Sequence, residues 1–277
     1  MRTIPFVKMS GTGNDFMLVD NRTALIQEPE LADFARAACP RGVSVGADGV
    51  VLIEPARAAG HDYRMRIINA DGSEAEMCGN ASRCIAVLAR QLGSAGQRQT
   101  IETIAGSLSA SVAPDGRSAR VQLSQPGRMR LKKAVPVLGR KLDLYSIDTG
   151  VPHAVCYVKD VARVKVRRLG AAIRRHRAFR PRGTNANFVQ LLGDGAIRMR
   201  TYERGVEDET LACGTGACAA AIVTGLVHGY ASPTRVHVAS GDVVTIHFEL
   251  DRKHKTAARP FLEGAVRTVY RGEYYWQ

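Results

Sequence analysis

Short runs in which apolar and polar residues alternate make up most of this chain, broken by a few longer stretches where apolar residues recur every three or four positions. Alternating and other short runs between turn residues predict strands at Gly49-Val-Val-Leu-Ile, Tyr63-Arg-Met-Arg-Ile-Ile, Ser107-Leu-Ser-Ala-Ser-Val, Val121-Gln-Leu, Asn187-Phe-Val-Gln-Leu, Ile197-Arg-Met-Arg-Thr-Tyr and Val243-Val-Thr-Ile-His-Phe. Many are rich in Val, Ile, Tyr or Thr, with turn residues between them. The longer stretches predict helices over Pro29–Cys39, Ala81–Leu92, Ala162–Arg175 and Gly214–Tyr230. Strands outnumber helices, which predicts an α+β fold with sheets wrapping at least one apolar helix in each half.

The two halves repeat one another. Tyr63-Arg-Met-Arg-Ile-Ile leads through Asn69-Ala-Asp-Gly-Ser-Glu to Cys78-Gly-Asn and then to an apolar helix. Ile197-Arg-Met-Arg-Thr-Tyr leads through Glu203-Arg-Gly-Val-Glu-Asp-Glu to Cys213-Gly-Thr-Gly and then to another. The Cys-Gly pairs, at 78 and 213, are 135 residues apart, and the glycine turns at Gly13 and Gly150 are 137 apart. Two ordered matches at nearly one offset point to a duplicated domain. The expected division is 1–130, carrying Cys78, and 131–277, carrying Cys213, with a link near Gly127–Lys133 where strand patterning stops.

Cys78 and Cys213 are the candidate chemistry. A helix N-terminus presents unpaired N–H groups and the positive end of its dipole. A cysteine there has its pKa lowered from about 8.5 toward neutrality, because the field favours thiolate. The glycine after each cysteine lets a ligand approach the backbone, and a carboxylate fits the same amides. Two such ends facing one carbon make a racemisation site, with one thiolate removing the α-proton and the opposite thiol returning a proton to the other face. Buried free cysteines are commonly inert small hydrophobes. That reading suits Cys84 and Cys218, inside their helices, and also Cys39 and Cys156. It suits Cys78 and Cys213 less well, since both follow acidic polar loops.

Six cysteines in 277 residues with no signal peptide suggest reduced thiols and a cytoplasmic chain, and neither Cys78/Cys84 nor Cys213/Cys218 has the CxxC spacing of common zinc sites. No metal is therefore expected. No apolar run approaches the roughly 20 residues that span a bilayer, so no membrane role is expected. A net charge of +13 raises nucleic-acid binding, but the arginines of 163–182 share helical spacing with Leu169, Ala172 and Ile173 and lack interleaved aromatics. A solvated basic face is the simpler account. Such a charge also attracts a small anionic substrate.

At these residues the chain resembles the diaminopimelate epimerase family. The resemblance runs from Phe6 to Glu263 and is carried by Gly13-Asn-Asp-Phe, Gly46-Ala-Asp-Gly, Asn69-Ala-Asp-Gly-Ser-Glu, Cys78-Gly-Asn-Ala-Ser-Arg, Pro152-His153, Thr184-Asn-Ala-Asn-Phe, Tyr202-Glu-Arg-Gly and Ala212-Cys-Gly-Thr-Gly-Ala. It implies two pseudo-symmetric domains, each a strongly curved, mostly antiparallel sheet or barrel around a central helix. It also implies Cys78 and Cys213 as the thiol pair, no cofactor, and a small amino acid as the partner molecule, with a homodimer left open. By position, Gly79, Asn80, Gly214 and Thr215 would hold the reacting carboxylate. Asn14, Asn69, Asn185, Glu203 and Arg204 would bind the substrate's ammonium and carboxylate groups, and His153 would support the pair. Three residues depart from the family pattern. Val151 replaces a frequent Asn that contacts the far end of the substrate, Gly49 stands where some members have Gln, and Ala81 replaces a frequent Gly. The alternative with the same chemistry is a two-thiol racemase for proline or histidine.

Overall fold

The computed structural model describes residues 1–277 and divides into two compact units, Met1–Val121 with Gly264–Gln277, and Gln122–Glu263. The first opens with β1 (Arg2–Gly11), β2 (Asn14–Asp20), α1 (Leu31–Ala38), β3 (Gly49–Glu54), β4 (Tyr63–Asn69) and β5 (Glu74–Ala75). It continues with α2 (Gly79–Gln91), β6 (Arg98–Thr103), β7 (Gly106–Val112) and β8 (Ser118–Gln122). Strands β1 and β2 form a hairpin whose two-residue loop, Thr12 at φ 56° and Gly13 at φ 84°, is left-handed at both positions. That geometry matches the twist of the flanking strands, and glycine adopts it without steric cost. Next, β2 pairs parallel with β3, β3 antiparallel with β4, and β4 antiparallel with β5 and parallel with β6.

The second unit repeats this order. It comprises β9 (Arg130–Val137), β10 (Arg140–Asp148), β11 (Pro152–Tyr157), α3 (Val166–Arg174), β12 (Asn185–Leu191), β13 (Ile197–Glu203) and β14 (Asp208–Thr210). Then come α4 (Gly214–His228), β15 (Thr234–His237), β16 (Val243–Asp251) and β17 (Thr256–Ala265). Again a hairpin, β10–β11, is followed by a parallel pair β11–β12, antiparallel pairs β12–β13 and β13–β14, and a parallel pair β13–β15. The duplication expected from the 135-residue offset is thus a duplication of topology.

Helices α2 and α4 are the centres of their units. Every residue of α2 from Asn80 to Ala89 is buried, and so is every residue of α4 from Gly216 to Gly225. A helix enclosed on all sides must be apolar or internally satisfied all round, and the alanine-rich run Ala217–Ala221 meets that requirement in α4. By contrast α1 and α3 are amphipathic. Gly170 in α3 lets that helix approach the sheet, since a Cβ there would lie 2.3 Å from Cβ of Tyr202.

The division of the chain differs from a cut at 130/131. Strand β18 (Arg267–Trp276) pairs with β1 over its whole length, and Tyr274 and Trp276 meet Phe34 of α1 edge to face at centroid distances of 5.5 and 5.4 Å. Those contacts return the C-terminus to the first unit. The stretch 127–133 also differs from a plain link, because β9 begins at Arg130 and pairs with β10. Its inward Val135 and Val137 are buried while Arg130 and Lys133 face solvent, which hid the alternation.

Candidate active site

Cys78 and Cys213 are the N-cap residues of α2 and α4. Their backbones are nearly identical, φ −143° and ψ 118° at Cys78, φ −127° and ψ 109° at Cys213. Each has the extended conformation of an N-cap, and its carbonyl accepts the first intrahelical bond, from Ser82 N–H at 2.8 Å and from Ala217 N–H at 2.9 Å. The amides of Gly79 and Asn80, and of Gly214 and Thr215, precede those first donors and lie outside the helical ladder. Neither helix has an acidic residue in its first turn or a side-chain cap, so each start keeps its positive field for the sulfur and for an arriving anion.

The other cysteines differ. Cys84 and Cys218 are fully buried free thiols whose pKa burial pushes up to about 12, and Cys39 and Cys156 are pushed by burial up to about 11. They remain neutral packing groups at any physiological pH.

Around Cys78 a chain of amides fixes the first turn. Arg83, which has no exposed surface, donates to Asn80 Oδ1 at 3.0 Å, to Gly79 O at 3.3 Å and to Thr12 Oγ1. With its oxygen so engaged, Asn80 turns Nδ2 to Asn14 Oδ1 at 2.6 Å, and Asn14 donates to Asp48 Oδ2 at 2.8 Å. Asp48, from the Gly46-Ala-Asp-Gly segment, also takes the backbone N–H of Asp15 and an ion pair from Arg41. Arg41 and Lys8 hold the Asp15 carboxyl below its usual range although burial alone would raise it. Asn69 ends β4 and donates to Ser73 Oγ at 3.0 Å, opposite Gly49 in the strand register. A Cβ on Gly49 would come 2.7 Å from the Ile68 carbonyl oxygen, so glycine suits this backbone.

Around Cys213 the arrangement is neutral. Thr215 Oγ1 lies 3.5 Å from Cys213 Sγ and 3.0 Å from His153 Nε2, while Thr149 Oγ1 donates to the Thr215 carbonyl at 2.9 Å. Burial, with Arg204 adding its charge, pushes His153 down to about 3, so the ring is uncharged. Asn185 braces the end of the next strand by accepting from Arg204 N–H at 2.7 Å and donating to the Pro152 carbonyl at 3.2 Å. Arg204 itself donates to the Arg182 carbonyl at 3.1 Å. Glu203 closes β13, and burial raises its carboxyl above the usual range. Val151 sits in the turn before β11, where its carbonyl accepts from Thr149 N–H at 3.1 Å.

Thr149, Arg83 and Asp48 belong to these arrangements without having been singled out from the sequence, as do Asn187, whose Nδ2 lies 3.2 Å from His153 Nδ1, and Thr201, which donates to Asn187 Oδ1 at 3.0 Å. Asn187 carries one usable signal, a polar residue set between the apolar Ala186 and Phe188 in a strand. Within the basic stretch 163–182, several arginines pair with carboxylates: Arg167 with Asp208 at 2.7 Å, Arg174 and Arg175 with Glu207 at 2.8 and 3.2 Å, and Arg163 with Asp160 at 3.2 Å. No group of three or more His, Cys, Asp or Glu side chains is placed to hold a metal ion, and no helix is long and apolar enough to cross a membrane.

Neutral His153 makes acid stability testable. The unfolded chain takes up this proton as pH falls below about 6.5, whereas the folded chain does so only near 3, so folding stability falls as pH drops through that window. Urea unfolding of His153→Phe should lose up to about 1.4 kcal/mol per pH unit less than the parent chain between pH 6 and 4. Equal pH slopes in the two chains would contradict a buried neutral ring.

The fold is shared with solved structures of low sequence identity. A PhzF-family phenazine biosynthesis protein of Bacillus anthracis superposes with a TM-score of 0.74 at 17% identity, over 100% of both chains. A probable proline racemase of Agrobacterium radiobacter K84 superposes with a TM-score of 0.70 at 20% identity, over 99% of this chain and 93% of the other. Sequence comparison is narrower. A protein-family model described as diaminopimelate epimerase matches residues 6–129 and 145–260. The diaminopimelate epimerase of Aquifex aeolicus is 44% identical over 96% of both chains, and that of Archaeoglobus fulgidus 39% identical over 95% of this chain and 96% of the other. The chain belongs to the diaminopimelate epimerase family.

Proposed function

We propose that this chain is a cytoplasmic enzyme that interconverts LL- and meso-diaminopimelate, in lysine and peptidoglycan precursor synthesis, using Cys78 and Cys213 as a cofactor-independent acid/base pair. The observation that carries the reading is the matched N-cap placement of the two cysteines at the starts of α2 and α4. The relatives' names supply the substrate.

In the proposed cycle one sulfur, as thiolate, takes the α-hydrogen as a proton. The C–H bond breaks, an S–H bond forms, and the electron pair left on carbon spreads into the carboxylate. The amides of Gly79–Asn80 and Gly214–Thr215 stabilise that charge as it develops. The opposite thiol then delivers its proton to the other face, its S–H bond breaking as the new C–H bond forms. Configuration inverts and the two sulfurs exchange protonation states, so each is base for one epimer and acid for the other. Arg204 supplies a fork for a carboxylate, while Glu203, Asn14, Asn69 and Asn185 accept from ammonium groups or donate to carboxylates.

Val151 offers no side-chain hydrogen bond to the far end of the substrate, so the rival substrates are single-centre amino acids such as proline or histidine. Incubation in deuterated water separates them. Solvent deuterium should enter the α-position of diaminopimelate at a rate comparable with epimerisation and should not enter proline or histidine. Exchange confined to the latter two would overturn the choice of substrate while leaving the two-thiol chemistry standing.

A further inference from the structure

The topological repeat allows the two cores to be compared strand by strand, and among the positions that differ are three where a buried apolar side chain in the first unit is matched by a buried polar one in the second. In β2, β3 and β4 the register places Phe16 opposite Gly49 and Val51 opposite both Leu18 and Ile67. In β11, β12 and β13 the same register places His153 opposite Asn185 and Asn187 opposite both Val155 and Thr201. Phe16, Val51 and Ile67 are buried, and so are His153, Asn187 and Thr201, all six at 4% exposure or less. One unit thus fills these positions with hydrocarbon, and the other with an imidazole, an amide and a hydroxyl. Polar groups at such depth cost stability unless fully bonded. Since the apolar set holds the same fold in the first unit, the polar set in the second does something other than hold the fold.

Its bonding has one consistent direction. Asn187 Nδ2 lies 3.2 Å from the Ala154 carbonyl oxygen, which can only accept, and Asn187 Oδ1 receives the Thr201 hydroxyl at 3.0 Å. The Ala154 carbonyl therefore fixes the amide orientation, and the Thr201 hydroxyl, which can donate, is compatible with it. The second amide N–H points at His153 Nδ1, 3.2 Å away, which must then present a lone pair. In an uncharged ring the remaining proton sits on Nε2, where it donates to Thr215 Oγ1 at 3.0 Å. The Thr215 hydroxyl proton is left for Cys213 Sγ at 3.5 Å. Gly216 gives the amide room beside the sulfur: a Cβ there would lie 2.5 Å from Asn187 Oδ1 and 3.2 Å from Cys213 Sγ.

We infer that Asn187 is a positioning residue that locks His153 as its Nε2–H tautomer, so that the Thr215 hydroxyl donates to Cys213 and favours the thiolate on this sulfur. This rests on Cys213 being one of the reacting thiols. Charged side chains at the adjoining strand ends are Glu203 at the end of β13, Arg204 just after it, and Asp148 at the end of β10, paired with Arg182; farther along β13, Arg200 is paired with Glu209. The first turn of α4 has no acidic residue. Unlike the wall around Cys78, which carries the buried cation Arg83, the wall around Cys213 acts through oriented neutral donors.

The test uses the full chain with Asn187→Leu, which removes the donor, and Asn187→Asp, which would accept from an Nδ1–H and so reverse the tautomer. Imidazole ¹⁵N spectra should show the Nε2–H form in the parent chain and the Nδ1–H form in Asn187→Asp. In both variants the thiolate absorbance of Cys213, followed with Cys78 replaced by alanine, should titrate about one pH unit higher, as a lost hydrogen bond to a charged group implies. With both cysteines present, kcat should fall about 10-fold with KM little changed, the same shift expressed as a rate. Should the Asn187 variants fail to fold, Thr215→Val cuts the same chain beyond the ring. It should raise the Cys213 titration equally while leaving the Nε2–H tautomer in place. An unchanged tautomer and an unchanged Cys213 titration overturn this inference alone, provided that Cys213→Ala is inactive; an active Cys213→Ala enzyme overturns the proposed function itself.

Discussion

Alanine at either Cys78 or Cys213 should abolish epimerisation in both directions, by about a thousandfold or more, since each direction needs one sulfur as base and the other as acid. The form of the residual activity is more diagnostic than its size. A chain with one sulfur left can still remove the α-hydrogen that faces it, but must return a proton to the same face. Deuterium from solvent should then enter slowly with retention into one stereoisomer only, and the two alanine variants should choose opposite stereoisomers. Cys84→Ala is the control, because that thiol is fully buried and held neutral, and its loss should leave turnover intact at a modest cost in stability. Chiral chromatography with mass detection of deuterium follows all of these at once. An epimerising Cys78→Ala chain would remove the two-thiol mechanism altogether.

The elements that could be read from the sequence are those whose signals are local. The openings of α2 and α4 were legible because a Cys-Gly pair follows a polar loop and precedes an unbroken apolar helix, and the β1–β2 turn because Gly13 marks it. The repeat was legible because the local signals recur at one offset. What escaped depends on partners distant in the chain. Nothing near Tyr274 and Trp276 indicates that they close over Phe34, some 240 residues earlier. β9 escaped for a different reason: its alternation is masked by Arg130 and Lys133, which face solvent, and by Lys132, whose ammonium lies over the Phe179 ring. Asn187 reads locally as one more strand residue, and its meaning comes from His153, 34 positions away.

Arg83 shows the same limit in a helix, where a sequence pattern places arginine on the wet face, yet this one has no exposed surface. Its guanidinium donates to Asn80, Gly79 and Thr12, and through Asn80 it fixes Asn14 against Asp48. Arg83→Met keeps most of the hydrocarbon stem, so the loss it causes is chiefly that of a charged donor set and of acceptors left buried. Such bonds are worth about 1.5–3 kcal/mol each, with only part of the sum lost as the site relaxes, which gives an expected destabilisation of about 3 kcal/mol. For a chain of this size that corresponds to a melting temperature lower by about 6–12 °C. Asn80→Ala should lose less, since Arg83 retains Thr12 and Gly79, yet it should raise KM as strongly as Arg83→Met does, because both release Asn14 and the first turn of α2. An unchanged melt in Arg83→Met would mean that the network merely decorates the helix, and equal melts with unequal KM values would mean that Asn80, not the arginine behind it, is what holds the substrate side of Cys78 in place.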